Sequence, residues 1–444
     1  MKTRVNFKVI NKLAIPATIA GIAEPILSIT DTAIVGNIPV DGIASLAAAG
    51  IVGSFLSMLI WILGQTRSAI SAILSQNFGA GKLEDVKTLP AQAIFLNLML
   101  SAVILVSTIF IIEEIFMLFN ASGKILNYCV AYYSIRVWGF PLTLFVFAIM
   151  GIFTGLQNTF WPMVIAIVGA LVNGILDFAL VYGIEGFIKP MYLEGAAWAS
   201  VIAQIVMALL AFVLLIIKTN VSLKLVLPIH PELKKLVLMS LHLFVRALAL
   251  NTALILAVRE ATALGEASIG AHTIAINVWL FCSFFMDGYG AAGTVLGGKL
   301  YGAKEYDTLY ILTKKIVLYG ILVSMGLLFL GFSFYGPIGT FFTKETSILN
   351  SFDSIFYILL LGLPVHSIAF VLDGLFKGLG EMKYLRKIQL AATFLGFVPL
   401  LFIGRWLQWG ISGIWIAFTV WMCIRAGGLV WKFNQKFRVL AQIH

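Results

Sequence analysis

Charge is scarce in this chain: 11% of its 444 residues are Asp, Glu, Lys or Arg, against 61% hydrophobic ones. No soluble core hides that much apolar surface, which excludes a water-soluble globular fold. Cysteine is nearly absent, and Cys129, Cys282 and Cys423 lie far apart in apolar surroundings. They predict neither a disulfide framework nor a metal site. The five histidines lack ligand spacing. No glycine-rich phosphate loop or nucleophile elbow occurs, so an enzyme has no foothold and no cofactor is implied. A nucleotide-binding domain is missing as well, which leaves ion gradients to drive any transport.

What the chain has is long apolar sequence, with a mean hydropathy of +1.01. A spanning helix needs ~20 apolar residues. Twelve such windows centre near 13–36, 46–78, 91–117, 126–156, 160–183, 193–217, 234–258, 268–300, 310–336, 350–376, 385–404 and 409–431. Four cations (Lys2, Arg4, Lys8 and Lys12) lead into the first window without a small-residue cleavage pattern, so no cleavable signal peptide is expected. Pro16, Pro25, Pro141 and Pro364 fall within windows and are candidate bend points.

The net charge of +10 suggests nucleic acid until the cations are placed. With the N-terminus inside, the outer loops hold Lys124, Lys189, Arg259, Lys344 and Arg405, and the windows hold Arg67, Arg136, Arg246 and Arg425. All other Lys and Arg fall on the inner side. That is the positive-inside pattern of a multi-pass protein with both termini cytoplasmic, and it leaves no nucleic-acid partner. A prokaryotic plasma (inner) membrane is the expected location.

Halves of the chain repeat at an offset of 223 residues. WGFPLTLFVFAIMGIFTGLQ from Trp138 aligns without a gap on LGLPVHSIAFVLDGLFKGLG from Leu361. Gly139/Gly362, Pro141/Pro364, Gly151/Gly374 and Gly155/Gly378 coincide, and these carry the weight because other residues do not copy Gly and Pro backbones. The expected fold is an all-α integral membrane protein: twelve transmembrane helices in two pseudo-symmetric six-helix bundles, a parallel 6+6 repeat around a central cleft. Residues 1–217 form the N-lobe and 236–444 the C-lobe with a short cytoplasmic tail. KTNVSLKLVLPIHPELKK, residues 218–235, is the cytoplasmic linker.

Ionisable residues in hydrocarbon cost at least ~2.5–3.5 kcal/mol each unless they face a cavity or a partner. Counting along the helices at 1.5 Å per residue places Asp31 ~27 Å, Asp177 ~24 Å and Asn173 ~18 Å from the inner face, with Ser200 ~10 Å below the outer one. All four lie in the outer half. Asn173 and Asp177 also share a helical face. Two carboxylates, an amide and a hydroxyl at one depth suit Na⁺, or a carboxyl that carries a proton. At the repeat offset Asp31 faces Leu254, Asn173 faces Gly396 and Asp177 faces Leu400. A coupling site need exist only once, whereas a structural role would recur. Asp287 and Asp373, each followed by Gly, are candidates either for lining a substrate cavity, with Asp31 and with Arg136, which lies near Tyr132 and Tyr133, or for hydrogen bonding that stabilises a bent helix beside the glycine. His272, without a second ligand, is expected to be packed or hydrogen-bonded rather than a proton relay.

DTAIVG at 31–36, LSQNFGAGK at 74–82, GLQNTFWP at 155–162, VNGILDFALVYG at 172–183 and LEGAAWASVIAQ at 193–204 form a familiar series. It continues with IGAHTIAINV at 269–278, MDGYGAAGTVLGGKLYGAK at 286–304 and LDGLFKGLGEMKYLR at 372–386. With these the chain resembles the multidrug and toxic compound extrusion (MATE) family, DinF-like branch, over nearly its whole length. The resemblance implies antiport of cationic or lipophilic organic compounds against H⁺ or Na⁺ by alternating access, from a monomer in the lipid bilayer. It also implies that Asp31, Asn173 and Asp177 form the coupling site, with Ser200 where the family often has Thr. A lipid-linked oligosaccharide or other lipid flippase of the same superfamily is the alternative, and its sugar-phosphate cargo calls for a cationic cavity. A major-facilitator carrier shares the 6+6 repeat, but its Gly/Asp/Arg-rich signature is absent from GAGKLEDVKTL. A channel would show flux independent of a coupled gradient.

Overall fold

Apolar sequence in a bilayer must satisfy its backbone polar groups internally, and the chain does so with helices. The computed structural model describes residues 5–39 and 41–438. Lys2, Arg4 and the side chain of Pro25 lie outside that description. The first half contains α1 (Phe7–Gly36), α2 (Gly42–Leu63), α3 (Thr66–Gly79), α4 (Leu89–Ile109), α5 (Ile112–Leu118), α6 (Gly123–Arg136), α7 (Gly139–Gly155), α8 (Phe160–Val181) and α9 (Tyr192–Lys218). The second contains α10 (Pro231–Ala263), α11 (Glu266–Gly302), α12 (Tyr306–Ser333), α13 (Tyr335–Phe342), α14 (Thr346–Gly378), α15 (Met382–Ala391), α16 (Val398–Trp406) and α17 (Gly410–Phe433).

Among the described residues, ten helical segments are long and apolar enough to span a bilayer, counting α2–α3 and α15–α16 as one each. The bent pair α6–α7 makes eleven. With 30 residues, α1 is ~45 Å long, enough for the twelfth, so each of the twelve windows coincides with a helix. Of the candidate bend points, Pro141 lies just past the 47° bend between α6 and α7, whereas α1 and α14 run through Pro16 and Pro364 without a break. One irregularity had no expectation behind it. A π-helical turn, Ala392–Phe397, joins α15 to α16 ahead of Pro399, whose missing N–H cannot continue the i→i−4 ladder.

The chain forms two compact units. The N-terminal unit comprises Ile19–Leu74 and Lys82–Val237, and the C-terminal unit Met1–Thr18, Ser75–Gly81 and Leu238–His444. Within the N-terminal unit α7 crosses α3 where glycines remove the side-chain layer: a Cβ on Gly151 would meet the Arg67 carbonyl at 2.7 Å, and one on Gly155 the Leu74 Cβ at 2.6 Å. Within the C-terminal unit α14 crosses α11 in the same manner. A Cβ on Gly374 would run into the Gly290 carbonyl and one on Gly378 into Thr294. Gly151 and Arg67 map on Gly374 and Gly290 at the offset of 223, so the sequence repeat is a repeated helix crossing. Thr294 reinforces the second copy by donating its hydroxyl to the Gly374 carbonyl at 2.6 Å.

Candidate functional site

The pattern of α8 positions the first group of residues. Its buried residues are Pro162, Ile165, Gly169, Asn173, Asp177 and Val181, three or four apart, which makes one inward stripe. Leu171, Ile175 and Phe178 occupy the opposite, exposed face. They are apolar because that face meets lipid. Two polar residues therefore sit on the stripe that packs inside the unit. The end of α8 is fastened to α1 by Tyr182, whose hydroxyl donates to the Ile34 carbonyl at 2.8 Å.

That contact brings Asp31 of α1, half-buried, beside the stripe. The Asn173 amide Nδ2 donates to Asp31 Oδ1 at 3.0 Å and also to Asp177 Oδ2, so one amide bridges two carboxyls. Asp177 is fully buried, and its Oδ1 has no hydrogen-bond partner among the described residues. Arg136 of α6 lies within electrostatic reach of Asp177, and buried Tyr132 within reach of both acids and of Arg136. The Arg136 guanidinium carbon stands 6.0 Å from the Tyr132 ring centroid, and its Nε is buried without a hydrogen-bond partner among the described residues. Ser200 is buried on α9, which packs against α8, but its hydroxyl makes no hydrogen bond to Asp31, Asn173 or Asp177 among the described residues. Chemically this is an oxygen-rich, partly desolvated acidic site with one cation nearby. It can take a proton or a small cation, and its free Oδ1 remains a strong acceptor.

The C-terminal unit's acids have different company. Asp287 on α11 is exposed. Asp373 on α14 is buried, and its Oδ1 accepts from Arg246 Nη2 of α10 at 2.5 Å and lies 3.5 Å from Arg425 Nη2 of α17. Its Oδ2 pairs with Lys377 at 3.0 Å, one turn along α14. The expectation that Asp373 lines a substrate cavity did not include these three cations. Arg246 and Arg425 were visible in the sequence only as charges inside windows. The signal that finds them is the rule applied to the acids: a cation in hydrocarbon needs a counter-ion, and this half offers few. His272 is packed, its ring stacked on Phe418 at a centroid distance of 6.3 Å.

Comparison with known proteins finds a family for the chain. The MatE family model matches residues 16–179 and 243–423, one segment in each half and more than half of the chain. The chain belongs to the MATE family. DNA damage-inducible protein F of Escherichia coli (strain K12) is 27% identical over 440 residues, covering 95% of this chain and 91% of that protein. Protein DETOXIFICATION 43 of Arabidopsis thaliana is 28% identical over 297 residues, 66% of this chain, and the match spans 54% of that relative's own length. The fold is that of a solved structure titled the outward-facing conformation of a multidrug resistance MATE family transporter of the MOP superfamily. The TM-score is 0.88 at 19% identity, over 98% of this chain and 96% of that one. This MATE-family chain is a multi-pass integral membrane protein.

Proposed function

We propose that this MATE-family protein is a secondary active efflux transporter that antiports cationic or lipophilic organic compounds against H⁺ or Na⁺ by alternating access. One observation carries the reading: Asn173 bridges Asp31 and Asp177 inside a membrane-spanning bundle, leaving a buried carboxyl oxygen of Asp177 that accepts no hydrogen bond among the described residues. Such a pair exchanges its occupant readily, because neither carboxyl is tied into an ion pair among the described residues. Relatives named multidrug resistance protein NorM, such as that of Vibrio vulnificus (strain YJ016), 24% identical over 92% of this chain and 91% of that protein, support the cargo class. Occupation by H⁺ or Na⁺ favours the conformation that releases the organic compound outward, and ion release inward resets the pair. The coupling is no larger than the ion's differential affinity for the two conformations. Both termini face the cytoplasm in this scheme, and residues 1–217 and 236–444 act as the two lobes, joined by 218–235. The test is efflux of a fluorescent organic cation from proteoliposomes under independently imposed pH and Na⁺ gradients. Transport that follows one gradient and is lost in Asp177→Asn supports the reading. Flux that ignores both gradients overturns it.

A further inference from the structure

We propose that the C-terminal unit carries a recognition site for an anionic group, a carboxylate or a phosphate, built from Arg246, Arg425 and Lys377 around Asp373. It is separate from the carboxyl pair of the N-terminal unit and does not depend on that pair's coupling an ion.

Charge balance is the first ground. The charged groups acting on Asp373 and Asp287 are Arg246, Lys377 and Arg425, so three cations face two acids, and one of those acids is exposed. A network that only held helices together would close its charge, since unbalanced charge in hydrocarbon is costly. Donor geometry is the second. The Arg425 side chain is 2% exposed and that of Arg246 8%, yet Arg246 Nε makes no hydrogen bond among the described residues and Arg425 Nη2 has only its long, 3.5 Å approach to Asp373 Oδ1. Arg425 Nη1 spends its donor on the Met422 sulfur at 3.2 Å, a weak acceptor. Its guanidinium is held in place by the Trp421 and Phe370 rings, at 5.2 and 5.8 Å from their centroids. Two oriented guanidinium groups and an ammonium, from three different helices, form a fork that fits the oxygens of a carboxylate or phosphate. Approach is through the side of the cluster where Lys377 is partly exposed and Asp287 is exposed. Asp373 is the resident competitor for the same donors.

The anion has two possible sources, a soluble organic or inorganic anion and an anionic lipid headgroup, and one experiment separates them. Purified full-length protein is titrated with succinate or inorganic phosphate in detergent, against sodium chloride at equal ionic strength, and is placed in nanodiscs of phosphatidylcholine with or without phosphatidylglycerol. Thermal unfolding is followed in each case. A saturable rise in the midpoint with succinate or phosphate assigns a soluble anion, because a ligand bound only by the folded state raises its stability. A rise confined to phosphatidylglycerol assigns the headgroup. Removing the resident competitor in Asp373→Asn should tighten the apparent affinity about tenfold, and Arg425→Gln should weaken it about tenfold or more. If Arg425→Gln does not fold, the partly exposed Lys377→Gln removes a donor from the same fork and should weaken binding in the same direction. Absence of a saturable effect beyond the chloride control with all three probes overturns the proposal. So does weaker anion binding in Asp373→Asn than in the wild type.

Discussion

Asp177 and Asp373 are the buried acids among the described residues, one in each compact unit, and they keep opposite company. Asp177 shares an amide with a second carboxyl, while Asp373 is gripped by two guanidinium groups and an ammonium. The first arrangement is short of positive charge and the second has it in excess. The α3–α7 crossing was copied as α11–α14, yet the charges were not. At the repeat offset Arg246, Arg425 and Lys377 face Ala23, Ile202 and Thr154, and Arg136 faces Leu359. A duplicated scaffold has thus been given two electrostatic characters, and the proposals of a cation site in one half and an anion site in the other rest on that difference.

The comparison breaks most visibly at Asp31. Asp31→Asn should abolish gradient-driven efflux of an organic cation while expression and thermal midpoint stay near wild type, because a similar-sized neutral group replaces a carboxyl that has no ion pair. Proteoliposome transport alongside thermal unfolding checks both halves of that statement. Retained transport moves the coupling group elsewhere. Asp373→Asn should behave in the reverse sense, as a stability variant. Breaking a buried ion pair costs ~3–5 kcal/mol, so its unfolding midpoint in chloride buffer should fall by several degrees. A midpoint unchanged from wild type would mean that the three cations do not depend on Asp373.

The shared crossing sharpens the contrast through geometry alone. Gly374→Ala should destabilise by about 1–3 kcal/mol, the range of an overpacked core, because the added methyl meets the Gly290 carbonyl backbone. Gly151→Ala should cost less, its contact with the Arg67 carbonyl being longer. Equal costs in a denaturation series would show that the two copies relax alike. The smallest effect belongs to a half-buried acid outside the spans. Lys124 donates to Asp41 Oδ1 at 2.6 Å and Tyr128 to Oδ2 at 2.8 Å. The Lys124 hydrogen bond, then that of Tyr128, hold the Asp41 carboxyl below its ordinary 3.8. A lowered folded value stabilises above the unfolded one, so this slight contribution is present at neutral pH and is lost as pH falls below 3.8 through the folded value. Lys124→Ala should flatten that part of the stability-against-pH curve, and an unaltered curve would show the contact to be idle.

The helices were legible because a bilayer demands ~20 apolar residues per crossing, a requirement the windows state openly. The meeting of Asp31, Asn173 and Asp177 was legible for a narrower reason. A four-residue spacing fixes a shared face, and counting along α1 and α8 fixes depth. Ser200 lies at a comparable depth and is buried, but depth does not determine which way a hydroxyl on α9 points. The counter-ion rule nominates Arg246, Arg425 and Asp373 as partners but not their meeting, since Arg246 and Asp373 are 127 residues apart and come together only after α10 and α14 have packed. The π-helical turn before Pro399 was equally hidden, because a hydropathy window is blind to one extra residue in a helical turn.

The twin glycine crossings have a practical consequence as well. Each substitution at one of them has a counterpart 223 residues away on the same kind of contact, within the same polypeptide, lipid and preparation. A variant at Gly151 and its counterpart at Gly374 therefore calibrate each other. The chain carries its own reference sample, and a difference between the paired variants reports the surroundings of the crossing, with assay conditions cancelled.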